Sequence, residues 1–216
     1  MKISTVIFDL DGTLLDTLDD LKNAVNYALS LRGLPQYTRP QISAMVGNGI
    51  GLLIKRAAGE NCDEALLRTM LDDFISYYKA HLHDCSRPYD GMIDLLRELK
   101  RRGYKTALVS NKWNEAVEIL CKVFFNGLLD AQTGELDDLP RKPDRALVDL
   151  VLSRLGVQKD ECLYVGDSGV DVETARNAEL PFVGVTWGFR TRKQLLSCGA
   201  KNLIDRPEEL YRYLEG

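Results

Sequence analysis

The chain has little of what marks a secreted or membrane-spanning protein. Its five cysteines lie far apart and include no CxxC pair, which favours free thiols in a reducing compartment over disulfides or a metal site. No stretch approaches the roughly 18 apolar residues of a membrane span, and the apolar run near the N-terminus is too short for a signal peptide. We therefore expect a cytoplasmic protein.

The chain also lacks an excess of positive charge. Its formal net charge is −4 at pH 7, so nothing general attracts it to nucleic acid or to an anionic membrane. We expect a small-molecule partner, no nucleic acid, no membrane, and a monomer or homodimer. With 216 residues, the chain exceeds the commonest domain size, which predicts one large domain or one domain that carries an insert.

Four short, β-rich runs alternate with helical patterns along the chain. The runs cover residues 5–8, 105–109, 161–165 and 181–185, with a shorter element near residues 128–131. Helical stripes include Leu95, Leu96 and Leu99, and a second one with Ala116, Ile119, Leu120 and Val123. Continuous apolar runs suit strands that are buried on both faces. The alternation predicts an α/β fold with a Rossmann-like parallel sheet and helices on both of its faces.

The interval between the strand pattern at residues 5–8 and the next one, at residues 105–109, is too long for a normal crossover. It contains helical patterns at residues 18–29, behind Thr17 as a candidate N-cap, and at residues 42–58 and 66–78. We predict a small α-helical cap domain over residues 16–87, inserted into a catalytic core formed by residues 1–15 and 88–216. A single merged core with a long excursion is the alternative.

Polar side chains follow the predicted strands, where a parallel sheet of this kind binds its ligands. They are Asp9, Asp11, Thr13, Ser110, Asn111, Lys142, Asp167 and Asp171. Clustered carboxylates repel one another unless a hard cation such as Mg²⁺ lies among them. Asp9 and Asp167 are the best-placed metal ligands. Thr13, Ser110 and Lys142 could then contact a phosphate group.

The pair Asp9 and Asp11 suits two chemical roles. One carboxylate can attack phosphorus and form an aspartyl-phosphate. A second carboxyl can protonate the leaving oxygen and then accept a proton from water. Gly12 allows the backbone to turn sharply after them. A plain polar turn is the alternative for this stretch, and a helix-capping role is the alternative for Asp171.

Four motifs together resemble the haloacid dehalogenase superfamily across essentially the whole chain. They are FDLDGT at residues 8–13, VSN at 109–111, RKPD at 141–144 and VGDSGVD at 165–171. The resemblance implies that Asp9 is the nucleophile and that Asp11 is the general acid and base. It also implies that Ser110 and Lys142 bind the phosphoryl group, and we add Thr13 and Asn111 as substrate contacts.

The same resemblance implies a Mg²⁺ site. Asp9, the backbone carbonyl of Asp11, and Asp167 would hold the ion. Asp171 would either bind the metal or assist it indirectly.

Residues 45–56 resemble the glycine loop and helix of phosphoglycolate phosphatases. Asn48 could close over a small polar substrate, and Lys55 or Arg56 could meet a substrate carboxylate. The residues alone leave an ordinary turn and a solvated helix face open. The resemblance implies a Mg²⁺-dependent phosphomonoesterase that hydrolyses a small phosphorylated metabolite through an aspartyl-phosphate, with 2-phosphoglycolate as the first candidate. A hexose-phosphate mutase, a pyrophosphatase of the same superfamily and a non-catalytic phosphate-binding regulatory protein remain alternatives.

Overall fold

A computed structural model describes residues 3–59 and 62–214 of the chain. Its strands are β1 (Thr5–Phe8), β2 (Leu15–Asp16), β3 (Arg87–Pro88), β4 (Lys105–Trp113), β5 (Ala131–Glu135), β6 (Cys162–Gly166), β7 (Phe182–Val185) and β8 (Leu203–Ile204). Its α-helices are α1 (Leu18–Ser30), α2 (Arg39–Met45), α3 (Ile50–Ala58), α4 (Glu64–Ala80), α5 (Met92–Arg101), α6 (Asn114–Phe124), α7 (Ala146–Leu155), α8 (Gly169–Asn177) and α9 (Arg192–Ser197). Two 3₁₀ helices cover Lys159–Glu161 and Pro207–Tyr213.

The chain divides into two compact units. One unit is Thr17–Arg87, and the other contains the segments before and after it. This division lies next to the boundaries predicted for a cap and a core. That the inserted unit acts as a cap stays a prediction.

The larger unit is built on a parallel sheet of six strands in the order β5-β4-β1-β6-β7-β8. Strand β1 lies between β4 and β6, with Thr5 paired to Lys105 on one side and to Cys162 on the other. Every residue of β1 and β6 is buried, because helices cover both faces of the sheet. The predicted α/β fold is confirmed. The carboxyl ends of these three strands meet at one edge, and the candidate site lies there.

Strand β4 is longer than the sequence predicts. It pairs with β5 through Val109 and Thr133 and again through Trp113 and Glu135, so the stretch between Val109 and Trp113 bulges opposite Gly134. A Cβ atom on Gly134 would come within 2.4 Å of the Lys112 carbonyl oxygen, so a side chain does not fit there. The prediction that this strand ends at residue 109 is therefore wrong. The element expected near residues 128–131 begins only at Ala131, as β5.

Helices α5 and α6 test the predicted apolar stripes. Leu95, Leu96 and Leu99 of α5 are buried, as predicted. On α6, Ile119 and Val123 are exposed, so that part of the prediction is wrong. The buried face of α6 consists of Ala116, Val117, Leu120 and Cys121. The predicted stripe and the observed one both contain Ala116 and Leu120. The sequence pattern alone does not show on which side of these two residues the buried face continues.

The described part of the inserted unit is built from four helices, α1 to α4, and its last residue, Arg87, begins β3. Its buried side chains include Leu21, Val25, Leu29, Met70, Phe74 and Tyr78. The pattern at residues 42–58 forms two helices rather than one, because the backbone is already extended at Val46. Thr17 precedes α1 but does not cap it through its side chain.

A buried carboxylate ties the two ends of this inserted unit together. Asp20 of α1 accepts hydrogen bonds from the backbone N–H groups of Cys85 and Ser86 at 2.9 and 2.8 Å. The hydroxyl of Ser86 donates to it as well, at 2.6 Å.

Among the described residues, no helix has both the length and the apolar character that crossing a membrane requires.

Candidate active site

The chain turns sharply directly after β1. The backbone N–H groups of Thr13, Leu14 and Leu15 all lie within hydrogen-bonding distance of the carbonyl oxygen of Leu10. Gly12 adopts φ +89°, which few other residues tolerate. Because the backbone does not stay extended, the two aspartates of this segment face different partners.

Asp9 belongs to a buried network that is centred on Lys142. The ammonium group of Lys142 donates to Asp9 Oδ1 and to Asp171 Oδ1, both at 2.8 Å. The same nitrogen lies 3.1 Å from the Val109 carbonyl oxygen and 3.2 Å from the Tyr164 hydroxyl oxygen. Lys142 is only 4% exposed and Asp9 only 7%. The predicted lysine and the predicted nucleophile are therefore in direct contact.

The charges in this network shift one another. Burial and the neighbouring carboxylates of Asp171 and Asp167 raise the pKa of Asp9, although Lys142 opposes them. Burial alone would lower the pKa of Lys142, but Asp171 and Asp9 outweigh it and raise that pKa well above its usual value. Lys142 is thus a firmly protonated cation at the end of β1.

Asn111 positions Lys142 from behind. Its carbonyl oxygen accepts the backbone N–H of Lys142 at 2.8 Å, and its amide nitrogen donates to the Lys142 carbonyl at 3.0 Å. Both ends of the amide group are therefore engaged. Asn111 thus fixes the backbone of Lys142, and its contact with substrate stays a prediction.

Asp171 uses both of its carboxylate oxygens inside the protein. Oδ1 accepts from Lys142 and lies 3.4 Å from the Tyr164 hydroxyl. Oδ2 accepts from the backbone N–H and the hydroxyl of Ser168, at 3.1 and 2.6 Å. Ser168 and Asp171 form a capping box at the start of α8, so the helix-capping alternative describes this residue well.

Asp167 lies at the end of β6 against the turn of the first motif. Its Oδ2 accepts the backbone N–H of Phe189 at 2.6 Å, and its Oδ1 lies 3.5 Å from the Thr13 hydroxyl. A Cβ atom on Gly12 would come within 2.4 Å of Oδ2, so only glycine leaves room for this carboxylate. Burial, followed by the charge of Asp171, raises the pKa of Asp167 to about 7.

Three buried carboxylates have the composition that a hard cation prefers. Ligand oxygens of Asp9, Asp167 and Asp171 lie within 4.8 Å of one another. Burial first, and the neighbouring carboxylate of Asp171 second, raise the pKa values of Asp9 and Asp167. An all-oxygen donor set of this kind fits Mg²⁺. Asp9 and Asp167 are the two members whose oxygens are less fully engaged.

Asp11 lies outside this cluster and contacts a second buried lysine, Lys112. The ammonium group of Lys112 lies 3.1 and 3.3 Å from the two carboxylate oxygens of Asp11. Lys112 was not among the predicted site residues, although a lysine inside an apolar strand pattern is a usable signal. Tyr164 and the N–H of Phe189 were not predicted either, and a backbone donor leaves no trace in a sequence.

The other predicted substrate residues occupy both units. Ser110 is buried on β4, and its hydroxyl accepts the backbone N–H of Lys112 at 3.2 Å. Asn48 and Arg56 lie together in the inserted unit, where the Arg56 guanidinium donates to Asn48 Oδ1 at 3.1 Å and also to the Met45 carbonyl.

Comparisons with known proteins identify the family of this chain. Residues 6–185 match the family model described as haloacid dehalogenase-like hydrolase. A phosphoglycolate phosphatase of Agrobacterium fabrum is 35% identical over 187 residues, which are 85% of this chain and 80% of that protein. A phosphoglycolate phosphatase of Cereibacter sphaeroides is 38% identical over 190 residues, which are 86% of each chain.

A crystal structure of a Lactobacillus delbrueckii protein resembles this fold closely. Its TM-score is 0.95 and its sequence identity 35%, and the superposition covers 99% of both chains. The resemblance predicted from the motifs is confirmed. The chain therefore belongs to the haloacid dehalogenase-like hydrolase family and is an enzyme of the phosphatase type.

Proposed function

We propose that the chain is a Mg²⁺-dependent phosphomonoesterase that works through an aspartyl-phosphate on Asp9. The observation that carries this proposal is the contact between Asp9 and Lys142 inside a cluster of three buried carboxylates. Lys142 orients one oxygen of Asp9, which leaves the second oxygen available to a substrate. The same ammonium group would attract a phosphate dianion to the end of β1.

In the first step, a carboxylate oxygen of Asp9 attacks phosphorus and the bond from phosphorus to the leaving oxygen breaks. Asp11 in its protonated form donates its proton to that oxygen, so the alcohol leaves neutral. Ser110, at the bulge of β4, would donate a hydrogen bond to the transferred group. Asn111 and Asp171 act through Lys142, because they hold its backbone and its side chain.

In the second step, water attacks the phosphorus atom of the aspartyl-phosphate. The carboxylate of Asp11 accepts the proton of that water, and the bond between phosphorus and the Asp9 oxygen breaks. Inorganic phosphate leaves, and Asp9 returns to its carboxylate form. The two aspartates therefore keep separate roles in both steps. Asp9 carries the phosphoryl group, and Asp11 carries the proton.

Mg²⁺ fits the donor set at this edge of the sheet. We propose Asp9, Asp167 and the backbone carbonyl of Asp11 as its protein ligands. Asp171 is a weaker candidate, because its oxygens already accept from Lys142 and twice from Ser168, at 2.6 to 3.1 Å. Asp167 Oδ1, by contrast, has among the described residues only the long 3.5 Å contact with the Thr13 hydroxyl. When bound, the ion would neutralise charge on the phosphoryl oxygens.

Replacing the nucleophile tests this mechanism. Asp9→Asn should lose all measurable hydrolysis of p-nitrophenyl phosphate, because an amide does not form the acyl-phosphate. The matched control is Asp94→Asn, the same change at an exposed carboxylate on α5, which should keep wild-type turnover. Appreciable turnover by a purified, folded Asp9→Asn variant would contradict the nucleophile assignment.

We propose 2-phosphoglycolate as the substrate, on the strength of the relatives and of Arg56 in the inserted unit. A kcat/KM screen over phosphorylated metabolites, including hexose phosphates and pyrophosphate, should rank 2-phosphoglycolate first. Arg56→Met should raise KM for it by roughly 10- to 150-fold, since a charge-assisted hydrogen bond contributes about 1.5–3 kcal/mol. KM for p-nitrophenyl phosphate, which has no carboxylate, should stay constant. Lys55→Met is the neighbouring control, and an equal effect of both changes would contradict the role of Arg56.

A further inference from the structure

Lys112 is a buried lysine that has no role in the two proposed chemical steps. It is 5% exposed, and its ammonium group reaches both carboxylate oxygens of Asp11, at 3.1 and 3.3 Å. Burying a lysine is costly unless the charge is paired. The side chain of Asp11 itself is 22% exposed, so the pair joins a dry cation to a carboxylate at the edge of the site.

The bulge in β4 places Lys112 at this position. Three consecutive residues, Ser110 to Lys112, lie where β5 offers only Gly134, and the bulge redirects the side chains that follow Val109. The Lys112 backbone packs so closely on Gly134 that no Cβ atom would fit between them. Asn114 holds the other side of the contact, because its Oδ1 accepts the Gly134 N–H at 2.9 Å.

We propose that Lys112 is a positioning residue for Asp11: it fixes the carboxyl group of the acid and base at the point where the leaving oxygen and the water react. This inference rests on the proposed phosphatase mechanism. A general acid has to lie within about 2.6–3.2 Å of the atom that receives its proton. Asp11 stands on a turn that contains Gly12 and is partly open to solvent, so its carboxyl group needs an anchor that holds both oxygens.

The test uses Lys112→Met, which keeps the length of the side chain and removes its charge. We expect kcat for an alkyl phosphate to fall roughly 10- to 100-fold, within the 10²–10⁴-fold total that general acid–base catalysis contributes. KM should stay near the wild-type value. The loss should be smaller for p-nitrophenyl phosphate, because nitrophenolate leaves without protonation. Lys122→Met, at an exposed lysine on α6, is the matched control and should leave kcat unchanged.

A double-mutant cycle with Asp11→Asn decides whether Lys112 acts through Asp11. In the Asp11→Asn background, Lys112→Met should change kcat by less than about twofold. An equal loss in both backgrounds would overturn the proposal, because Lys112 would then act independently. An unchanged kcat in the wild-type background would overturn it as well.

Two controls keep the result interpretable. Thermal melting of each variant identifies a folding defect, and Lys112→Gln replaces Lys112→Met in the cycle if the latter does not melt cooperatively. Turnover by the wild-type enzyme is measured separately. Its absence would refute the proposed function itself, whereas the cycle refutes only the role of Lys112.

Discussion

Two buried lysines form ion pairs with the two aspartates that follow β1, and the surroundings of the two pairs differ. Lys142 connects Asp9 to Asp171, Tyr164 and a backbone carbonyl in a network that is closed to solvent. Lys112 holds Asp11, whose side chain stays partly exposed. The difference matches what the two steps need. A nucleophile benefits from a fixed orientation in a dry site, whereas an acid and base has to exchange its proton with a leaving group and with water.

The two pairs also differ in what happens when one member is lost. In the Lys142 network, every polar atom of Asp171 is engaged, and Asp9 has a raised pKa because of burial first and of its acidic neighbours second. Removing the cation would leave carboxylates buried and unpaired. In the Lys112 pair, the carboxylate of Asp11 could accept hydrogen bonds from water once the lysine is removed.

The largest effect that we expect is therefore the loss of stability in Lys142→Met. Breaking a buried ion pair from one side costs about 3–5 kcal/mol, so urea unfolding at pH 7 should show a loss of that size. Lys112→Met should cost clearly less, since Asp11 is partly solvated. The deficit of Lys142→Met should shrink from pH 8 to pH 5, because protonation neutralises Asp9, whose pKa in the folded state is raised. Equal losses in the two variants at pH 7 would remove the distinction between the pairs.

The sequence predicted the Lys142 half of this comparison better than the Lys112 half. Asp9 and Asp167 follow continuous apolar runs, and Lys142 follows the shorter element near residues 128–131. Parallel strands bring their carboxyl ends to one edge wherever those elements lie in the chain. That argument does not depend on which residues of neighbouring strands are paired. The position of Lys112 depends on the bulge between Val109 and Trp113 and on the fit of Gly134, and both are properties of strand pairing.

The same limit explains two other differences. The pairing of the Asn111 amide with the backbone of Lys142, 31 residues away in the chain, was not predicted. On α6, two overlapping stripes fit the sequence, and packing against the sheet selects the one with Val117 and Cys121. Tertiary contacts, and not local patterns, decided each case.

A smaller effect distinguishes the two aspartates through the metal. If Asp9 and Asp167 hold Mg²⁺, the ion should raise the melting temperature of the wild-type protein, by about 2–4 °C for each kcal/mol of binding energy. Asp9→Asn and Asp167→Asn should lose this shift. Asp11→Asn should keep most of it, because only its backbone carbonyl is expected to contact the ion. A lost shift in Asp11→Asn would place the carboxylate of Asp11 on the metal and contradict the separation of the two pairs.

The size of that shift should depend on pH with a definite sign. The pKa of Asp167 is raised to about 7 by burial and by Asp171. Between about 3.9, the unfolded value, and about 7, the folded metal-free protein retains a proton that the unfolded chain has released, so its stability falls as pH rises through this interval. Mg²⁺ replaces that proton, and its stabilising effect should therefore be larger at pH 8 than at pH 5.5. Melting curves at 10 mM and zero Mg²⁺ measure this difference, and a shift that is equal at both pH values would show that Asp167 does not bind the ion.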